Sequence, residues 1–402
     1  MTKLLATALQ PFSRGFLSVE NFRLNTDLDD TSPIQRAIDA LPESTGFDSG
    51  GGIIMLDGKD YRISGTIYSE KSVAIWGAGS DSGTRISLAA NSNCNMLEFG
   101  KRNSSDPISL DLKGMRIEML GAQTEGHSNI VTHNYIRHSH FIDLFVVYAT
   151  GPNFDMQVDA EGGSPGRNNY FYGCAFEYGK ETALNIIHDY NLNINSCYFG
   201  FGAIGQNSYG LKIDMAADRF ILANSWFLQD SRGGNMYVTG PTSGHIMNNK
   251  WNGVDSSNAG AAHLVLANCS NINVGSNIFS NTLFPYCIKT LSNVTKLKVY
   301  DNQIGTVATA PFLFTDKASV DCYNNSFSNG KQSESGTSTI LDTATYIEVT
   351  HGCFTTPDNV ITTPQANENV WVSNIGATTF RINRAGSSGA LICNWKASVK
   401  TY

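Results

Sequence analysis

One short motif recurs down the middle of this chain: a small or polar residue, any residue, then a large apolar one. It reads Cys174-Ala175-Phe176, Cys197-Tyr198-Phe199, Ser225-Trp226-Phe227, Asn249-Lys250-Trp251, Asn277-Ile278-Phe279, Asn302-Gln303-Ile304, Asn325-Ser326-Phe327 and Gly352-Cys353-Phe354. The final residues lie 23, 28, 24, 28, 25, 23 and 27 positions apart. A period in this range marks a repeat architecture in which each unit stacks on its neighbours. Between the copies run short β-prone stretches such as Asn193-Ile194-Asn195, Gly210-Leu211-Lys212-Ile213-Asp214 and Arg219-Phe220-Ile221-Leu222. Gly, Asn, Asp and Ser separate them, and no helical i, i+3, i+4 pattern intervenes. About 25 residues at roughly 3.3 Å each make one coil of three strands and their turns. The reading is all-β: a right-handed parallel β-helix, a single-stranded solenoid. A β-sandwich would need no copies of one motif in register.

Asn and Gly at the first motif position suit a sharp left-handed bend. Stacked Asn amides can also bond to their copies one coil away, as in other stacked-strand structures. The aromatic that follows turns inward and stacks in the core. Less regular coils precede these, ending near Ile117 and Phe145. The 402 residues exceed an ordinary domain, but a solenoid can run this long as one. Hydrophobic residues make up 41% and charged residues 16%, with 38 Gly, which describes a packed, turn-rich chain. A net charge of -7 gives no reason to expect nucleic acid or an anionic membrane as partner. No apolar run reaches the length of a membrane span. The stretch MTKLLATALQPFSRGF has too short an apolar part, and no clear cleavage site, for a signal peptide. An extracellular role then implies release with a virion or by another route. Of the eight cysteines, Cys174 and Cys197 share one position of successive coils, and no CxxC occurs. They read as buried thiols rather than a disulfide framework or metal site.

Near the N-terminus, Asp30-Thr31-Ser32 precedes Pro33 as a helix-start signal, and Ile34, Ala37, Ile38 and Leu41 form one apolar stripe. Such a helix can cover the open end of a solenoid. Gly50-Gly51-Gly52 then leads into strands Ile53 to Leu56 and Tyr61 to Ile63, and a further strand ends at Trp76-Gly77-Ala78-Gly79. This order, DDTSPIQRAIDA, GGG, a strand, YRISGT and WGAG, resembles the pectate-lyase-like superfamily. It is most similar to the phage tailspike and polysaccharide-depolymerase branch. The resemblance implies a right-handed β-helix, usually trimeric, that binds and often cleaves bacterial surface polysaccharide. It carries fold better than chemistry, because the branch includes epimerases, lyases and structural members. The paired aspartate with GHG and RIK of polygalacturonases is missing here, as are the DPH motif of mannuronan epimerases and the aspartate cluster of calcium pectate lyases. Those activities are disfavoured, and no metal or cofactor is expected.

After Phe354, Thr355-Thr356-Pro357 and Thr362-Thr363-Pro364 break the pattern. Asn369 to Ser373, Thr379 to Asn383 and Ala390 to Ser398 then read as strands. The expected division is 1–50 for the N-terminal segment and capping helix, 51–354 for the β-helix, and 355–402 for a small β domain. So small a unit buries little core of its own, which points to trimerisation.

Glycosidic hydrolysis needs two carboxylates, one protonated and one ionised. β-Elimination instead needs a base such as Tyr, His or Lys with a cation on the uronate carboxylate. Outward residues of adjacent coils lie about 4.8 Å apart, so column-mates make a linear site for a linear polymer. Coil alignment places Asn185, Lys212 and Tyr237 in one column, Ile187, Asp214 and Thr239 in another, and Ala175, Tyr198, Trp226 and Lys250 in a third. Glu177, Asp214 and Asp230 are the candidate acids for hydrolysis. Tyr198 and Trp226 are candidate sugar platforms, with Lys212, Arg219 and Tyr237 as further substrate contacts and the corresponding lyase set. Asp155 to Asn169 reads as the longest irregular loop, and His138 and His140 as sharing a face. The expected function is a virion-borne, homotrimeric depolymerase of capsule or O-antigen acting as a glycoside hydrolase. A lyase on the same fold and a non-catalytic glycan-binding adhesin remain the alternatives.

Overall fold

The computed structural model describes residues 16–42, 51–102, 106–133, 136–157, 166–187, 189–200, 208–214, 219–229, 234–253, 261–280, 284–306, 311–316, 319–328, 330–331, 333–351, 357–366, 368–376, 378–386 and 389–399. Short strands follow one another around successive coils, and each pairs in parallel with its counterpart one coil on. Three faces result. The first runs from Phe16–Ser18 through Leu192–Asn195 to Val320–Tyr323. The second runs from Asp60–Ile63 through Trp226–Gln229 to Ser326–Phe327. The third, from Ile67–Ser69 to Phe312–Leu313, is a ten-stranded sheet with one strand per coil. Leu110–Met119 and His140–Val147 serve the first and second faces at once, turning the corner at Gly114 (φ 63°) and Asp143 (φ 51°). Alternation buries every second side chain in one continuous core from Leu17 to Phe327. The chain is the parallel β-helix that its repeat predicts.

The motif works differently in one respect from its sequence reading. The left-handed residue is the one before the motif: Gly173, Ser196, Asn224, Asn248, Ser276, Asp301 and Asn324 have φ between 53° and 63°. That bend turns the first motif residue into the corner of the coil, where it is buried; its carbonyl accepts from a backbone N–H of the next coil, and its own N–H donates to the side chain of the copy one coil on. Asn277 Oδ1 accepts from the backbone N–H and the amide of Asn249, both at 3.0 Å. Asn302 serves Asn277 in the same way, and Asn325 serves Asn302. The amides of Asn277, Asn302 and Asn325 also donate to carbonyls of the preceding coil. The stacked-amide expectation therefore holds. Behind this ladder Phe176, Phe199, Phe227, Trp251 and Phe279 stack with centroids 5.6, 4.7, 4.2 and 5.5 Å apart and planes within 18° of parallel. In the earlier coils Ile117 is inward and aligns with Val146, so Phe145 faces outward, against expectation.

Helix Thr31–Asp39 buries Pro33, Ile34, Ala37 and Ile38 against the first coil. Its start is held one residue earlier than expected. Asp29 Oδ1 takes the Thr31 N–H at 2.9 Å, while Asp30 accepts from Arg62 N at 2.7 Å and pairs with Arg23. A second core spans Ile340 to Val399. There Leu391–Ser398 lies antiparallel between Ser333–Ile340 and Asn359–Pro364, and Thr379–Arg384 lies between Tyr346–Thr350 and Val370–Ser373. Ser333–Ile340 and Tyr346–Thr350, which motif counting gave to the coils, thus pair within this unit. The sequence SESGTSTI of the first carries almost no apolar signal. The eighth motif copy, at 352–354, lies outside the described residues.

Candidate glycan-binding face

The outward side chains of the second face form two columns. One reads Arg85, Arg116, Phe145, Ala175, Tyr198, Trp226, Lys250, Ile278, Gln303, Ser326. The other, two residues along each strand, reads Ser87, Glu118, Val147, Glu177, Gly200, Leu228, Asn252. Contacts run along the first column. The Arg116 guanidinium lies 4.8 Å over Phe145, Tyr198 meets Trp226 edge-on at 5.4 Å, and Lys250 Nζ lies 5.1 Å over Trp226. From Leu228 onward the face opens into a groove of about 1000 Å³. Lys250, Asn252, Gln303, Thr306 and Ser326 give its walls donors and acceptors, and Ile278 gives them an apolar patch. Trp226 is 42% exposed at the entrance.

Glu177 follows inward Phe176 and points out, half-buried, one coil before Gly200. Burial raises its carboxyl above the ordinary value, and the Arg116 charge opposes this. The Tyr198 hydroxyl is pushed up to about 12, first by burial and then by the neighbouring Glu177 and Tyr178. Sequence reasoning missed Glu118, which follows inward Ile117 just as Glu177 follows Phe176. It is 2% exposed and accepts from Arg116 Nε at 2.6 Å and Ser87 Oγ at 3.2 Å, with Arg85 Nε at 3.6 Å. Too deep to touch a polymer, Glu118 fixes Arg116 next to Phe145 and Glu177.

The predicted columns are in register, but they belong to different faces. Tyr198 and Trp226 align on the second face beside Glu177. Lys212 aligns with Asn185 and Tyr237, and Asp214 with Ile187 and Thr239, all on the third face. Arg219 opens a first-face strand and donates from Nε to Asn191 Oδ1 at 2.7 Å. Asp230 lies outside the described residues. The structure therefore does not bring Asp214 to Glu177. A shared or neighbouring coil makes two side chains adjacent only when they also share a face.

Other expectations shift too. Asp155, read as part of a loop, sits in third-face strand Phe154–Gln157 and accepts from Asn185 at 2.7 Å and Gln157 at 2.5 Å. Asp159 and Glu161 of that stretch lie outside the described residues. His138 has φ 52°, which breaks the alternation before strand His140–Val147, so the two histidines do not share a strand face. His140 instead holds Asp111 through Nδ1 at 2.8 Å and stacks on Tyr170.

No protein-family model and no curated protein matches the chain. Among solved structures, ORF18 of Geobacillus virus E2 superposes with a TM-score of 0.50 at 17% identity, over 95% of this chain and 77% of that one. At that identity the likeness is one of fold, a parallel β-helix. Lower in similarity stand the Pseudomonas phage phi297 tailspike gp61 (TM-score 0.46, 10% identity, 96% and 99% covered) and the Azotobacter vinelandii mannuronan C-5 epimerase AlgE4 A-module (0.44, 14%, 78% and 95%).

Proposed function

We propose that the second face binds a bacterial surface polysaccharide and cuts it by glycosidic hydrolysis, as a homotrimeric tailspike on a virion does, with Glu177 as general acid. The observation that carries this is the unbroken line from Glu177 and Tyr198 through Trp226 and Lys250 into a polar groove. Sugar rings offer an apolar face to an aromatic and hydroxyls to amides, and both are arrayed here on rigid strands. A carboxyl raised by burial keeps its proton to higher pH, as a general acid must. Asp230, which follows strand Trp226–Gln229 in the chain, is the candidate for the second carboxylate.

The test is release of reducing ends from capsule or O-antigen. Glu177→Gln should lower the rate about 10²–10⁴-fold with binding kept, and Asp230→Asn should lower it similarly. Trp226→Ala should weaken binding by about 1–2 kcal/mol. The wild-type rate should fall on the alkaline side as Glu177 ionises, at a pH above that of an ordinary carboxylate. Wild-type turnover by Glu177→Gln would remove it from the chemistry. One observation favours a second reading, an adhesin that binds without cutting: no carboxylate is among the groove's described lining residues. Binding with no shortening of the polymer on long incubation would select that reading, and an unsaturated product absorbing in the ultraviolet would select a lyase.

A further inference from the structure

The unit built on the second core carries exposed side chains that the groove does not use. In its sheet of Tyr346–Thr350, Thr379–Arg384 and Val370–Ser373, the middle strand turns Phe380, Ile382 and Arg384 inward, where they are buried. Alternation sends Arg381 and Asn383 to the opposite side. Register completes that side: Tyr346, Asn383 and Trp371 form one row across the three strands, and Glu348, Arg381 and Ser373 the next. Tyr346 and Trp371 are 46% and 50% exposed. They stand two strand spacings apart, roughly 10 Å, with an amide between them.

We propose that this face is a second glycan-binding surface, separate from the groove, on which a saccharide chain lies across the Tyr346–Asn383–Trp371 row. Its polar groups are already fixed. Asn383 Nδ2 donates to Trp371 O at 3.1 Å and to Ser373 Oγ at 2.9 Å, which leaves Oδ1 to accept from a sugar hydroxyl. The Arg381 guanidinium lies 4.6 Å over the Tyr346 ring, with Nε 3.9 Å from Glu348 Oε1, so ring and carboxylate hold the cation at this row. A stacking platform beside fixed hydrogen-bonding groups suits a sugar, which needs both at once. The unit's other sheet offers no such pair of rings: its outward side carries Ile361 opposite Lys396, then Thr363 opposite Asn394, then Ile392, with no aromatic among the described residues. The inference rests on the proposed function only for the class of ligand.

The full chain carrying Glu177→Gln, so that nothing is cut, is applied to an array of purified capsular and O-antigen polysaccharides. It is compared with the same chain carrying Trp371→Ala, Arg381→Ala or Trp226→Ala, and the mass of each is measured by sedimentation. Trp371→Ala should lose about tenfold or more in apparent affinity for at least one polysaccharide, Arg381→Ala should weaken the same one, and neither should change the mass. Loss with Trp371→Ala but not with Trp226→Ala keeps this surface and removes the groove reading. Loss with Trp226→Ala alone removes this surface. Equal binding by parent and Trp371→Ala, or no binding by the parent to any polysaccharide, overturns the inference. So does a lowered mass for Trp371→Ala, which would make the face an interface between copies.

Discussion

Asn277 joins three coils through one side chain. Its Oδ1 takes the N–H and amide of Asn249 on the preceding coil, and its amide donates to Asn302 on the following coil and to the carbonyl of Ile246 behind it. All of these groups are buried; without the side chain the Asn249 N–H is orphaned, while the Asn249 amide keeps Leu222 O and Asn302 Oδ1 keeps the Asn277 N–H. Asn277→Ala should therefore cost about 3 kcal/mol or more. Asn224, by contrast, is exposed and holds the left-handed bend (φ 53°), so Asn224→Ala should cost only about 1–2 kcal/mol and Asn224→Gly almost nothing. Thermal unfolding ranks the three, and faster hydrogen exchange at the Asn249 amide in Asn277→Ala would place the loss in the ladder. Equal costs for Asn277→Ala and Asn224→Ala would mean that the bend, not the amide ladder, carries the energy. The sequence showed that Asn recurs at this position and that its amides stack. It did not show which residue of the pair bends, because Asn is favoured both at a left-handed position and as a buried amide, and here Asn248-Asn249 and Asn324-Asn325 use it for both.

At the scale of elements, the helix and the strand columns were legible because both rest on periodicity: 3.6 for the stripe Ile34, Ala37, Ile38, and one coil for the register of Tyr198, Trp226 and Lys250. The assignment of a strand to a face was not legible. Each coil contributes three strands of similar composition, and nothing local separates the outward residues of Tyr209–Asp214 from those of Trp226–Gln229. That is why Asp214, Lys212 and Tyr237 came out as neighbours of a site on another face, while Glu118 went unnoticed in the column of Glu177. The helix carries a prediction of its own. It lies over the first coil, whose strand edges would otherwise be open to pairing with another chain. Ile38 is buried in that contact, so Ile38→Asp should strip the cover and drive aggregation, whereas Ala40→Asp, at an exposed position, should not. Light scattering on freshly prepared protein separates the two. A soluble Ile38→Asp of unchanged stability would mean the helix is dispensable.

For the whole molecule, the two cores differ greatly in extent. The β-helix buries side chains continuously from Leu17 to Phe327, whereas the C-terminal unit rests on a short set around Phe380, Ile382 and Trp395. Arg384 is part of that interior, satisfied by the carbonyls of Ala344, Gly389 and Leu341, which add hydrogen bonds but no apolar burial. A unit this small gains from burying more surface, and the outward Ile361 and Ile392 supply apolar area for it. If three copies associate there, the protein sediments at three times its 43.6 kDa chain mass. Ile361→Glu combined with Ile392→Glu should then return it to the single-chain mass, because a carboxylate buried in an apolar contact costs more than the contact yields. Trp371→Ala, on the other sheet, should leave the trimer intact. The double variant keeps both proposed glycan surfaces, so it should bind each polysaccharide through one chain instead of three and lose avidity, by about 10²-fold or more, without losing its choice of ligand. A trimer that survives both glutamates would place the association elsewhere, on the faces of the β-helix itself.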